Sequence, residues 1–252
     1  MRKLLRMDIY RLFRRKILYV MIVAMSAITL SMLFLNDPST MTFSSILGVM
    51  DGVSMDNFMS AASGLGLVYT VMCIMLSFFV CDDFSSGFAK NIFTVHSKKT
   101  DYIAGKIISM VVASGVLMLI SLIESIFFCM MSGVTMAGVG GIIIFWIEKW
   151  ILSAPFAAAI LFVSIWLRNK GLGFLFACLL GTGGLVMGIE WGLEAIKFPF
   201  AKQVLSWTMY GSSTIPTLAF HIGDFVHIIV AAIVWCVFYA ILSSCVLKKK
   251  EI

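Results

Sequence analysis

The chain has 252 residues, 61% of them hydrophobic and only 13% charged, with a formal net charge of +6 and a mean hydropathy of +1.03. A single soluble domain cannot hide that much apolar surface, because ordinary usage is about 45–50% apolar and about 25% charged. The composition points to a membrane bundle, and its long continuous apolar runs favour helices over an alternating, barrel-type pattern.

Residues 1–16 form the first element. In Arg2–Lys16, Leu5, Ile9, Leu12 and Phe13 recur at helical spacing, while Arg2, Lys3, Arg6, Arg14 and Arg15 fill much of the remainder. This predicts a basic amphipathic helix of the kind that lies in the headgroup layer. Six transmembrane helices follow, at about 17–35, 60–81, 107–131, 142–167, 171–189 and 225–247, with 248–252 as a tail. Each is near the ~20 residues a spanning helix needs. Four of the six contain no Asp, Glu, Lys or Arg. Sixteen of the 19 Lys and Arg fall on one face of this layout. By the positive-inside rule that face is cytoplasmic, with both termini inside, in the cell membrane. The positive charge is thus a topology signal, and no separate basic domain suggests a nucleic-acid partner.

Between the first two spans lies a long outside loop, residues 36–59. Its acids, including "DGVSMD", lack the alternating ligand pattern of a calcium loop. The six cysteines sit in or beside spans without CxxC spacing, so no zinc site or disulfide framework is indicated. No zincin, nucleophile-elbow or P-loop motif occurs, so the chain is not expected to be an enzyme. Any energy source belongs to another chain.

Three acids and bases fall inside spans. Glu124, Glu148 and Lys149 lie about 25–29 Å from the cytoplasmic interface at 1.5 Å per residue. Glu124 and Lys149 are at matching depth on neighbouring antiparallel helices, which allows a polar pair. The fifth span is rich in glycine, and Gly184, Gly188 and Gly192 make a G-x-x-x-G strip suited to close helix packing. Beyond it, residues 190–224 are too polar to span and too apolar to float, and read as short re-entrant helices broken by Pro199, Gly211 and Pro216.

The second and third spans are joined by some 25 residues, "DDFSSGFAKNIFTVHSKKTDYIAGK". Phe84, Phe88 and Ile92 recur at i, i+4, i+8. Asp82 and Asp83 stand before them, where carboxylates suit a helix N-terminus. The expectation is a short amphipathic helix that offers aromatics to a groove on a partner.

The order Phe79, Asp82, Asp83, Phe84, Gly87, Lys90, Lys99, Tyr102, Lys106, leading straight into an apolar helix, resembles the ABC type-2 permease family. Asp83 and Gly87 match an acid four residues before a glycine. Lys98 or Lys99 stands where the family often has arginine, and Lys106 matches the lysine entering the third span. The resemblance extends to the N-terminal helix, the six spans and the re-entrant segment. It implies that Asp82, Asp83, Phe84, Gly87, Phe88 and Ile92 form a coupling helix docking on a separate ATP-binding subunit. Two such ATPases would bind the ATP and Mg, and this chain would bind no cofactor or metal. It would pair with a second permease, identical or similar, to open a path between two six-span halves. The compact chain looks like exporters or immunity permeases for antimicrobial or other amphipathic peptides, so a peptide is the expected cargo. The competing class is a secondary transporter or channel that needs no ATPase.

Overall fold

The structure, a computed structural model, describes residues 2–35, 67–95, 99–131, 138–196, 201–217 and 220–249. These residues form helices and connecting turns, with no strand among them. In chain order the helices are α1 Arg2–Arg14, α2 Lys16–Leu35, α3 Leu67–Ser85, α4 Phe88–Val95, α5 Lys99–Met131 and α6 Val139–Leu167. They continue as α7 Lys170–Gly181, α8 Gly184–Ala195, α9 Ala201–Ser206, α10 Met209–Ser213 and α11 Ile222–Lys249. Among the described residues α3, α5, α6 and α11 are long and apolar enough to cross a bilayer, and the bent pair α7–α8 makes a fifth candidate. Helix α2 occupies the position of the first expected span. The long loop of residues 36–59 and the first part of the second expected span lie outside the described residues.

Helix α6 is the centre of the bundle. Residues Phe156–Leu161 are fully buried, because α3, α5, α7 and α11 all pack on it. Its ring contacts and hydroxyls fix the neighbours in register. Phe156 stacks on Tyr69 of α3 with ring centroids 4.6 Å apart, and the Tyr69 hydroxyl donates to the Lys149 carbonyl at 3.2 Å. On the α5 side, Ser114 and Ser153 share a 2.6 Å hydrogen bond, and Trp150 Nε1 donates to the Val111 carbonyl at 2.9 Å. These intramembrane polar contacts are closed by backbone or hydroxyl partners, as an environment without water requires.

Close packing of α7 on α3 uses small residues. Gly173, Ala177 and Gly181 recur at i, i+4, i+8 and are all buried. A Cβ on Gly181 would stand 2.3 Å from the Thr70 Cα, and one on Gly173 2.4 Å from Ser77 Oγ. The packing strip therefore lies 11 residues, about three turns, earlier than the sequence suggested. Among the described residues an added Cβ at Gly188 or Gly192 meets nothing within 4 Å, and one at Gly184 meets only Leu179 and Thr182 of the adjoining turn, at 3.4 Å or more.

The fifth expected span is not one straight helix. It breaks after Gly181, and α7 and α8 meet at 60°. Gly183 adopts φ +75°, and a Cβ there would lie 2.3 Å from the Tyr210 ring. Both the backbone conformation and the ring contact call for glycine. The apolar composition read through the break, because hydropathy does not register a two-residue turn.

After α8, the segment expected to be re-entrant contains the short helices α9 and α10, which pack on one another and on α11. Trp235 Nε1 donates to the Trp207 carbonyl at 2.8 Å, and the Trp207 and His227 rings are 3.9 Å apart. Ile196 and Val204 in this segment are exposed.

Candidate functional site

The segment joining α3 to α5 differs from its expected form in a respect that changes its chemistry. Asp82 and Asp83 do not begin a helix. They lie in the last turn of α3, which runs on to Ser85. Gly87, at φ +72°, then turns the chain into α4, the left-handed residue that commonly ends a helix. Carboxylates at a helix C-terminus face the negative end of the macrodipole. They are held there by cations brought from three other elements.

Asp83 is the focus. Its side chain is fully buried. Oδ1 accepts from Arg11 Nη2 of α1 at 2.9 Å. Oδ2 lies 2.5 Å from Lys106 Nζ of α5 and accepts from the Tyr102 hydroxyl at 3.2 Å. Lys106, also fully buried, donates to Asp8 Oδ1 of α1 at 3.0 Å. Arg11 Nη1 stands 3.7 Å from the same Asp8 oxygen. Two carboxylates and two cations thus close a four-membered ionic ring joining α1, α3 and α5. Aromatic faces seal it. The Lys106 ammonium is 4.0 Å from the Phe79 ring centre, and the Arg11 guanidinium 3.6 Å from that of Phe88, within cation–π range. Burial is the main influence on Asp8 and pushes its carboxyl above the ordinary range, with the adjacent Lys106 pulling against it.

Asp82 points outward from the same turn. It pairs with Arg15, in the link between α1 and α2, and with Lys170 at the start of α7, 2.5 Å away. Beside it, Arg168 caps α6 in the left-handed conformation and sits 5.1 Å over the Phe84 ring. The C-terminal turn of α3 therefore holds α1, α2, α5, α6 and α7 in one knuckle.

Helix α4 lies on this knuckle with its apolar stripe partly turned in. Ile92 and Ala89 are buried. Phe88 is half-buried under Arg11, and Phe93 meets Tyr102 edge-on at 5.1 Å. Among the residues from Phe84 to Phe93, the exposed positions are Ser85, Ser86, Lys90 and Asn91. So Phe84, Phe88 and Ile92 contribute to internal packing, and the surface open to a partner is more polar than the stripe implied. Periodicity finds an apolar face but cannot say whether the cover is the same chain or another.

Helix α1 likewise packs on protein. Its most buried positions are Leu4, Asp8 and Leu12, and a Cβ on Gly105 of α5 would stand 3.0 Å from Leu4. Asp8 and Arg11 were not picked out from sequence, although a signal was present. An acid in a basic helix, at i+4 from Leu4 and i−4 from Leu12, lies on the inward face.

Glu124 and Lys149 are not joined. Glu124 accepts from Ser26 of α2, whereas Lys149 Nζ donates to the Ser213 carbonyl at 2.8 Å. Lys149 thereby ties α6 to α10, a partner invisible to any search for opposite charge. Five free cysteines are described: Cys73, Cys81, Cys178, Cys236 and Cys245. Among the described residues no three His, Cys, Asp or Glu side chains are grouped to hold a metal ion.

Comparison with curated proteins gives no match. The family model for "ABC-2 family transporter protein" matches residues 4–184, a stretch that contains every member of the ionic ring. The chain therefore belongs to the ABC-2 family of transporter proteins, the membrane components of ABC transporters.

Proposed function

We propose that this chain is the permease subunit of an ATP-driven exporter, and that the knuckle around Asp83 receives the stroke of a separate ATPase. The carrying observation is the buried Asp8–Arg11–Asp83–Lys106 ring. A push on α4 cannot be absorbed locally, because Phe88 and Phe93 rest on side chains of that ring and its neighbour Tyr102. It moves α1, the end of α3 and the start of α5 together. Ser86 in the turn before α4 and Lys90 on α4, with the open edges of Phe84 and Phe88, form the docking surface.

In this reading two ATPase subunits drive two permeases, identical or similar, with both termini and the knuckle in the cytoplasm and six spans per chain. The open side of α8 that carries Met187 and Trp191, four residues apart and both exposed, supports a second permease as neighbour. An amphipathic peptide as cargo is supported by the 18 methionines and 21 phenylalanines, since thioether side chains adapt to varied apolar surfaces.

The test is co-purification in mild detergent with ABC ATPases of the same genome, co-expressed one at a time. Wild type is expected to retain the ATPase, and Lys90→Glu with Ser86→Glu to lose it while the permease melts normally. Failure of wild type to retain any ATPase would move the reading to a transporter or channel that works alone.

A further inference from the structure

Between α5 and α11, on the outer flank of the bundle, lies an open groove of about 500 Å³. Ile103 and Ile107 form one wall, Val237 and Ile241 the other, and Thr100 and Ser244 stand at one end. Val237 and Ile241 are 52% and 58% exposed, so the groove opens outward, away from the packed core on α6. Its walls, residues 100–108 and 236–244, are each about 12 Å long at 1.5 Å per residue. That fits inside one leaflet, about 15 Å as half of a ~30 Å hydrocarbon core.

The end with Thr100 and Ser244 is basic. Val237, Ile241, Ser244 and Lys248 recur at i, i+4, i+7, i+11, so Lys248 stands on the groove's own face one turn beyond Ser244. Lys248 and Lys249 are exposed, and neither is in an ion pair among the described residues. Across the mouth, Lys99 precedes Thr100 and donates to the Leu247 carbonyl at 2.8 Å, leaving two of its three N–H donors. Two acids are close by in sequence: Asp101, about 100° around α5 from Thr100 on the flank of the mouth, and Glu251, three residues after Lys248 and outside the described residues.

We propose that this groove holds an acyl chain of an anionic phospholipid, with the phosphate seated between Lys248 and Lys99. The apolar walls accept any chain; the lysine ledge selects the negative headgroup. A juxtamembrane lysine favours anionic lipid by about fivefold, which sets the size of the effect. The inference rests on the chain's place in a membrane and is independent of how the knuckle meets an ATPase.

Native mass spectrometry of the purified full-length chain tests it, with phosphatidylglycerol and phosphatidylcholine of identical acyl chains titrated in turn. Wild type is expected to retain one phosphatidylglycerol per chain, at least about fivefold in preference to phosphatidylcholine. Lys248→Gln lowers that preference about fivefold and leaves phosphatidylcholine retention unchanged. Ala240→Trp, which fills the groove, lowers retention of both lipids; if it does not fold, the Lys248→Gln arm decides alone. Equal retention of the two lipids by wild type would overturn the proposal. So would an unchanged preference in Lys248→Gln, or undiminished retention by a folded Ala240→Trp.

Discussion

Replacing Lys106 with methionine preserves most of the side-chain volume and removes one charge from a site with no exposure. Asp83 keeps Arg11 at 2.9 Å and Tyr102 at 3.2 Å. Asp8 does not fare as well. Its Oδ2 already has no hydrogen-bond partner, and its remaining cation, Arg11, is 3.7 Å away. Breaking a buried pair from one side costs about 3–5 kcal/mol. For a chain of this size 1 kcal/mol corresponds to roughly 2–4 °C, so Lys106→Met is expected to lower the melting temperature by about 6–20 °C. The double change Asp8→Asn with Lys106→Met removes both orphaned charges and leaves the Asp83–Arg11 pair intact. It should recover at least about 1 kcal/mol, within the 0.5–3 kcal/mol range of direct couplings. Tryptophan fluorescence melts of the four proteins in one detergent give the cycle. A Lys106→Met variant within about 0.5 kcal/mol of wild type, or strictly additive losses in the double variant, would refute the ionic ring as a stabilising unit.

Other outcomes follow from the same contacts. Burial raises the Asp8 carboxyl, so the folded state holds its proton more tightly than the unfolded chain. The contribution of Asp8 is therefore greatest below the ordinary carboxylate value of about 4 and is lost as pH rises through the folded value. Relative to Asp8→Asn, wild type should lose stability on going upward from about pH 4, as read from melts across pH. Asp82→Asn, on a partly exposed side chain, should cost no more than about 1 kcal/mol, well below the loss at Lys106. Gly181→Val should prevent folding or shift α7, since its Cβ would stand 2.3 Å from the Thr70 backbone. Gly188→Ala, with open space around it among the described residues, should leave the stability of the dispersed chain within about 0.5 kcal/mol of wild type.

The apolar runs made the helices of the bundle legible because each of α3, α5, α6 and α11 is a long stretch that lipid or neighbours must cover. Their ends were less legible. Helix α5 begins at Lys99, eight residues before the expected span, because Tyr102 and Lys106 are buried in the knuckle although they read as loop. The same applies to Asp82 and Asp83. Their spacing suits a helix start in isolation, and only the four cations from distant segments make a helix end tenable. Long-range charge pairing has no local periodicity, so Asp8 and Lys106, 98 positions apart, leave no joint signature. Small-residue packing was visible as a glycine-rich segment. Choosing Gly173, Ala177 and Gly181 over the later strip depended on Thr70 and Ser77 of a helix some hundred residues earlier.

Cysteine cross-linking between α4 and the ATPase puts the docking account to its most direct test. Ser86→Cys and Lys90→Cys would be placed singly in a chain whose exposed Cys245 is replaced by serine. Each would be treated with a short thiol-to-amine linker in membranes that also contain the partner ATPase, alongside Met130→Cys at the opposite end of α5. Cross-linked ATPase from positions 86 and 90, strengthened when nucleotide is bound and absent from position 130, is the predicted result. A cross-link from position 130, or none from positions 86 and 90 in membranes where the two chains co-purify, would contradict the assignment of this knuckle as the coupling site.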